Sequence, residues 1–406
     1  MAPGTCGSRS TRVCKIRNIG PVKGGGTRQL TTLQKASRGA LADGITASSL
    51  NSMYRTCMNR PANDERPETV LSSLNESLHV LMEWEDRVLV MGEDILDPYG
   101  GAFKVTKGLS TKFPDRVLGT PLSEASIVGM ASGMAMRGML PIVEIMFGDF
   151  LMLVADQLIN HAAKFRWMYN DGVRVPIVVR TPMGGRRGYG PTHSQSLEKH
   201  FLGVPGLWVV APHVAGDPGA LLRQAVVDND EPVLFIESKT CYARPLITSI
   251  QGLEFQTLSA PEAPFPTTYI GHVISNGGPD ALICTYGGMT PHCLEAVEQL
   301  TDQEGLTVDL AVFSQLSPPP VDHVVRILEE HRPGVIVYVE EGTTTGGWAA
   351  EMVAQFTKIG GENRDATPAI HQRIGGLEQP IPSSRELERQ ALPQVADIVR
   401  MVVDCF

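Results

Sequence analysis

Long apolar runs are missing from this 406-residue chain. No stretch reaches the roughly 20 residues of a membrane-spanning helix, which excludes a helical membrane protein and leads us to expect a soluble one. Cysteine is sparse and unpatterned. Cys6, Cys14, Cys57, Cys241, Cys284, Cys293 and Cys405 form no CxxC pair. That excludes a zinc ribbon and suits free thiols in a reducing compartment better than a disulfide framework. Acidic residues are nearly absent from residues 1–60, where Asp43 stands against ten Lys and Arg. The remainder holds 25 basic and 43 acidic residues, a net −18 against −9 for the whole chain. So acidic a body argues against nucleic acid as the main partner. There are no tandem repeats, hence no solenoid. Neither GxxxxGK[ST] nor GxGxxG occurs, so neither a P-loop nor a dinucleotide fold is read here.

The basic head is rich in Ser and Thr, contains Gly24-Gly25-Gly26 and shows no hydrophobic periodicity. Its composition matches a mitochondrial transit peptide. A disordered tail, or an upstream-extended start before Met53 or Met58, fits it equally well. No compact apolar segment follows the charges, which excludes a secretory signal. The mitochondrial matrix is expected if the head is a transit peptide, and the cytoplasm otherwise.

What is present from Arg66 onward is alternation. Helical spacing of Val70, Leu71, Leu74, Leu78, Leu81 and Met82 predicts a helix over 67–87, and Val88–Met91 reads as a buried strand. Strands are predicted at 141–147, 175–180, 208–211 and 232–237, with helices at 149–167 and 219–227. From 243 to 266 the pattern lapses around Pro261, Pro264 and Pro266, which reads as a linker. A second unit then follows. Its strands are predicted at 281–285, 308–313 and 335–339, and its helices at 289–300, 321–330, 346–356 and 392–403. The expected organisation is a head at 1–66, one domain at 67–242, a linker at 243–266 and a second domain at 267–406. Apolar strands alternating with helices predict an α/β fold with mostly parallel sheets covered on both faces.

A few residues stand where chemistry gathers in such folds. Glu93 follows a strand end, where ligands collect in parallel sheets, although a turn residue is the plain alternative. Thr120-Pro121-Leu122-Ser123-Glu124 places a carboxylate at the start of a small-residue helix, where the helix dipole alone would favour it. Phe147 and Phe150 follow a strand and offer an aromatic face. Thr181 to Gly190 is a Gly-rich loop carrying Arg186 and Arg187. It leads into His193-Ser194-Gln195-Ser196, where His193 could donate a proton. Read singly, these arginines would be solvated and the histidine structural. Glu340-Glu341 precedes a helix start and reads as a cap.

Taken together, pieces in the right order over residues 69–388 resemble the β subunits of thiamine-diphosphate-dependent 2-oxo acid dehydrogenase E1 components. That group spans the pyruvate, branched-chain and acetoin dehydrogenases. The pieces include Val90-Met91-Gly92-Glu93-Asp94, Thr120 to Glu124, Asp156-Gln157 with Asn160, His193 to Ser196, Thr285-Tyr286-Gly287 and Pro380-Ile381-Pro382. The resemblance implies a pyrimidine-binding domain followed by a transketolase C-terminal domain. It implies that Glu124 and His193 are catalytic. Glu124 would hydrogen-bond N1′ of the cofactor's aminopyrimidine, Phe150 would pack on that ring, and His193 would sit near the substrate and the reductive-acylation step. Glu93 would be an acid at a subunit contact linking cofactor sites. Two departures are visible: Ser314-Gln315-Leu316 stands where Ser-Pro-Leu is usual, and Arg186-Arg187 flank the histidine loop. The Gly-Asp-Gly…Asn-Asn pattern that holds the diphosphate through Mg²⁺ is absent, so this chain is assigned no metal ligand and an E1 α subunit is expected to supply them in an α₂β₂ heterotetramer. The resemblance also admits a K⁺ site, with no ligands assigned. The implied reaction is oxidative decarboxylation of a 2-oxo acid, with acyl transfer to lipoyl-E2. A transketolase-like or acyloin-forming carboligase, or a non-catalytic scaffold of the same fold, are the alternatives.

Overall fold

A computed structural model describes residues 69–272, 278–362 and 369–406. The basic head, Pro67 and the starts considered at Met53 and Met58 lie outside the described residues. The first helix runs over Val70–Trp84. It starts at Val70 because Thr69 caps it: Thr69 Oγ1 accepts the Ser72 N–H at 3.1 Å and Ser72 Oγ accepts the Thr69 N–H at 2.9 Å. Its buried stripe of Leu74, Leu78 and Leu81 lies on the core side. Its other neighbour is the helix Pro218–Val227, which approaches closely because Gly219 has no side chain. A Cβ at Gly219 would fall 2.1 Å from Ser77 Oγ.

Thirteen strands are described. β1 (Val88–Gly92), β2 (Val117–Gly119), β3 (Leu140–Glu144), β4 (Val178–Met183), β5 (Trp208–Val210) and β6 (Val233–Ser238) belong to a first sheet. β7 (Leu253–Leu258), β8 (Thr267–His272), β9 (Ala281–Thr285), β10 (Val308–Phe313), β12 (Val335–Thr343) and β13 (Ile370–Gly376) make a second. The first sheet has the order β11-β5-β6-β4-β3-β1-β2, in which β11 is Gln315–Ser317. β1 to β6 run parallel, with Val90 opposite both Val117 and Ile142, and β11 alone is antiparallel to β5. The second sheet has the order β13-β12-β9-β10-β8-β7. Its first four strands are parallel and its last two antiparallel.

An apolar core continues from Val143 and Val179 of the first sheet through Phe201 and Leu316 to Leu282 and Tyr338 of the second, and to Trp348 at the start of the helix Trp348–Glu362. A separate cluster around Ile283, Val297, Leu310 and Ile398 covers the other face of the second sheet. No helix among the described residues is long and apolar enough to cross a membrane.

The α/β alternation is as expected, and three details differ. The stretch read as a linker contains β7, an edge strand paired to β8 from Leu253↔His272 to Leu258↔Thr267. Most of its residues are partly exposed, so no two-residue apolar period marked it. β11 comes from the second half of the chain yet completes the first sheet, so the two units interleave there. β4 lies three residues later than predicted and includes Pro182. The Arg180 carbonyl faces β3, where it accepts the Ile145 N–H at 2.9 Å, so Pro182 faces the same side. β3 has already ended at Glu144, and the missing proline N–H leaves no ladder bond unmade.

Buried histidines make the fold acid-sensitive. Burial lowers the pKa of His213 to about 3 and that of His323 to about 4. The unfolded value is about 6.5, so between roughly pH 6.5 and 4 the unfolded chain binds more protons than the fold. The histidines' contribution to stability is therefore complete above about pH 6.5 and is lost as the pH drops through that window, by at most roughly 1.4 kcal/mol per pH unit for each. Urea midpoints at about pH 7.5 and about pH 5 measure this. We expect acidification to cost the unmodified chain more midpoint than it costs His323→Gln, in which one such group is gone; the same pH dependence in both would contradict the account.

Candidate active site

Because β1 to β6 are parallel, the segments that leave their carboxyl ends meet along one edge of the first sheet. In spatial order these are the residues after β6, the loop after β4, the turn after β3, Glu93 after β1 and the Thr120–Glu124 stretch after β2. This edge is where parallel sheets bind ligands.

At one end Glu93 is only 5% exposed. Its Oε1 is buried without a hydrogen-bond partner, and the nearby Ser123 backbone N–H favours the charged form. Burial first, and the charge of Glu124 second, raise its pKa above the usual carboxylate value. Glu124 opens the helix Glu124–Ala135 and is half-buried. Thr120 is tied to β1 by its N–H, which donates to the Gly92 carbonyl at 3.0 Å, and its Oγ1 is buried without a partner. The structure thus brings Glu93 and Glu124 together as a carboxyl pair beside unsatisfied polar atoms.

At the centre of the edge the structure brings Phe150 and His193 together. Their ring centroids are 5.3 Å apart and edge-on, and Phe147 stands 4.8 Å from the same imidazole. Phe150 ends the 3-10 turn Gly148–Phe150 that leads into the long helix 151–168, interrupted by a π-helical stretch at Asp156–Ala162. Thr192 Oγ1 lies 3.0 Å from His193 Nδ1. The Glu93–Glu124 pair and the Phe150–His193 pair occupy neighbouring parts of one sheet edge.

The loop between β4 and His193 is held by the second unit. The Gly185 N–H donates to Glu341 at 2.7 Å, and the Arg186 and Gly188 N–H groups donate to Glu388 at 2.8 and 2.9 Å. Arg186 is not solvated: its guanidinium donates to the Pro393 carbonyl at 2.6 Å and lies 3.4 Å from Glu341. Arg187 is exposed and sits over the Phe103 and Tyr189 rings. Gly184, at φ 95°, must be glycine, because a Cβ there would fall 2.5 Å from a Glu341 oxygen. Glu340 behaves as the expected cap. It accepts the Trp348 and Ala349 N–H groups at 3.0 and 3.3 Å at the start of Trp348–Glu362, and burial ahead of the Glu198 charge pushes its pKa up to about 8.

Sequence reasoning missed two groups. Arg180, Glu144 and Glu237 form a fully buried ionic cluster under the edge. Lys239 and Asp149 flank the His193 loop. The available signal was a run of charged residues at the ends of otherwise apolar buried strands.

Comparison with known proteins adds a consistent picture. Residues 69–245 match the transketolase pyrimidine-binding domain and residues 271–398 the transketolase C-terminal domain. The chain is 36% identical to the mitochondrial pyruvate dehydrogenase E1 component subunit beta-1 of Arabidopsis thaliana, over 82% of this chain and 87% of that one. It is 35% identical to the acetoin:2,6-dichlorophenolindophenol oxidoreductase subunit beta of Cupriavidus necator, covering 82% and 96%. It is 33% identical to the 3-methyl-2-oxobutanoate dehydrogenase subunit beta of Mycobacterium tuberculosis, covering 80% and 88%. Among solved structures, a split-gene transketolase described as an inactive beta4 tetramer aligns with a TM-score of 0.61 at 18% identity. The alignment covers 83% of this chain and 98% of that one, a likeness of fold.

Proposed function

Since the chain belongs to the transketolase-like family of 2-oxo acid dehydrogenase E1 β subunits, we propose that it is the β subunit of a thiamine-diphosphate-dependent E1. It acts on a 2-oxo acid of the pyruvate or branched-chain class and passes the acyl group to lipoyl-E2. The observation that carries this reading is the sheet edge itself, with a carboxyl pair at one end and an imidazole between two phenylalanines at its centre.

The residues fit the pyrimidine half of the cofactor. Glu93 Oε1 and Thr120 Oγ1 are buried polar atoms without partners, and Phe147 and Phe150 present aromatic surface. When bound, thiamine diphosphate supplies a carbon nucleophile for the keto group and a sink for the electrons released with CO₂. Glu124 holds a proton at the ring nitrogen N1′. Burial and the neighbouring Glu124 charge push the Glu93 carboxyl above the usual carboxylate range, which favours a proton within the pair. Phe150 packs against the pyrimidine. His193 presents an imidazole to the substrate and moves a proton at its oxygen.

Mg²⁺ and the diphosphate fall to an α subunit, because the Gly-Asp-Gly…Asn-Asn pattern is absent from this chain. A surface for such a partner flanks the site. Leu122, Met130, Met152, Leu153 and Trp167 are exposed on or beside Glu124–Ala135 and the helix 151–168. These two helices meet where Gly129 packs against Gln157. Exposed apolar side chains on adjoining helices mark an interaction face, and we assign it to the α subunit of a heterotetramer. The basic head and the mitochondrial relatives support a mitochondrial matrix location, with the cytoplasm as the alternative.

Co-purification followed by assay tests the proposal. A co-purifying chain with Gly-Asp-Gly…Asn-Asn, together with decarboxylation dependent on thiamine diphosphate and Mg²⁺ and acetylation or acylation of a lipoyl domain, is the expected result. Transfer to aldehyde acceptors but not to a lipoyl domain would favour the carboligase. A complex that turns over without this chain would leave it a scaffold.

A further inference from the structure

Lys239 is the first residue after β6. Its N–H donates to the Met183 carbonyl at 3.2 Å, which ties it to the end of β4. The side chain is 1% exposed. Its Nζ donates to the main-chain carbonyl of His193. The ammonium also lies 5.3 Å from the centre of the Phe147 ring and 5.5 Å from that of Tyr189. Phe147 is one of the two phenylalanines standing edge-on to the His193 imidazole.

Asp149 completes the arrangement. Its Oδ1 accepts the Gln195 N–H at 3.3 Å, two residues beyond His193, and its Oδ2 is buried without a hydrogen bond. Burial lowers the Lys239 pKa to about 8. Among the charges around it, Asp149 does most to favour the cation, ahead of Glu341 and Glu388, while Arg187 opposes it. The segment His193–Gln195 is thus gripped at a carbonyl by Lys239 and at an amide by Asp149, two groups of opposite type that follow different strands, β6 and β3. The loop leading into it has Gly184, Gly188 and Gly190 at positive φ, so its own backbone does little to restrain it.

We propose that Lys239 is the positioning residue for His193: anchored on the His193 carbonyl and balanced by Asp149, it holds the imidazole edge-on to Phe147 and Phe150. This rests on the role given to His193 above. Lys239 is too enclosed to meet the substrate, and its effect passes through the loop. Losing such an anchor leaves the imidazole to sample misplaced geometries, and a displacement of about 1 Å costs on the order of 10²-fold in rate.

The test uses the full chain assembled with its partner subunit, with Lys239→Met and Lys239→Arg made alone and on a His193→Ala background. We expect K239M to lower kcat roughly 30-fold with KM for the 2-oxo acid within about 3-fold, and K239R, which still donates to a carbonyl, to stay within about 5-fold of the unmodified protein. On the H193A background K239M is expected to cost less than about 3-fold, because nothing remains to be positioned. Hydrogen exchange at residues 193–195, followed without cofactor, should rise about 10-fold or more in K239M. Equal losses on both backgrounds would reveal a merely structural lysine and overturn the proposal, as would unimpaired turnover of K239M. Should K239M fail to assemble, Lys239→Gln runs the same cycle with a neutral side chain of similar size. Undiminished turnover of H193A alone is a different failure: it removes His193 from the reaction and leaves Lys239 nothing to position.

Discussion

Glu124→Gln is expected to reduce turnover of a 2-oxo acid by at least about 10²-fold, since a positioned acid–base group contributes roughly 10² to 10⁴. Glutamine keeps the shape and a hydrogen bond, but it cannot hold a proton that is shared with a ring nitrogen. Stability should hardly change. The lost charge at the start of Glu124–Ala135 forfeits about 0.3–1 kcal/mol of helix-dipole interaction, and relief of the repulsion with Glu93 offsets part of it. Burial and the Glu124 charge raise the Glu93 pKa together, so Glu93 should also ionise at lower pH in the variant. Steady-state kinetics with an artificial electron acceptor, beside melting and assembly measurements, separates the two effects. Unchanged turnover would remove Glu124 from the chemistry. A collapse of assembly would instead make it an interface residue.

Arg180→Met is expected to destabilise the fold strongly rather than merely slow the reaction. Arg180 Nε and Nη2 donate to the two Glu237 oxygens at 2.7 Å each, and Nη1 donates to Glu144 at 2.9 Å. The Tyr242 hydroxyl adds a hydrogen bond to Glu237 at 2.6 Å. All three charged side chains are buried, and the two carboxylates keep the guanidinium ionised against the effect of burial. Methionine would leave two carboxylates in a dry interior, a loss of about 3–5 kcal/mol when one partner of a buried pair is removed. Urea denaturation measures it. The triple variant R180M/E144Q/E237Q should recover much of the loss, because its remaining groups are neutral. A single variant as stable as the unmodified chain would mean that water reaches the cluster. The position of the cluster explains why it matters beyond stability. Glu144 ends β3, Arg180 lies in β4 and Glu237 in β6, so it clamps the three strands from which Phe147, the His193 loop and Lys239 depart.

The amino-acid order alone determined the alternation of strands and helices. Ala281–Thr285 and Val308–Phe313 were legible to the residue, because a wholly buried parallel strand is a short unbroken apolar run. The ordered motifs, Thr120 to Glu124 and His193 to Ser196 among them, were enough to name the family. Tertiary structure decided what depends on distant partners. β7 and β11 carry little periodicity of their own and exist as strands because β8 and β5 offer them edges. Arg186 looked like a solvated loop arginine and is instead fastened to residues 155 to 207 positions away, in a unit whose placement no local pattern encodes. Lys239 and His193 are 46 residues apart and meet only because β4 and β6 are neighbours in a parallel sheet. Local propensity and burial period are written residue by residue along the chain. The pairing of charges and the contacts of a loop are set by which elements the fold brings side by side, and that is settled only when the cores close.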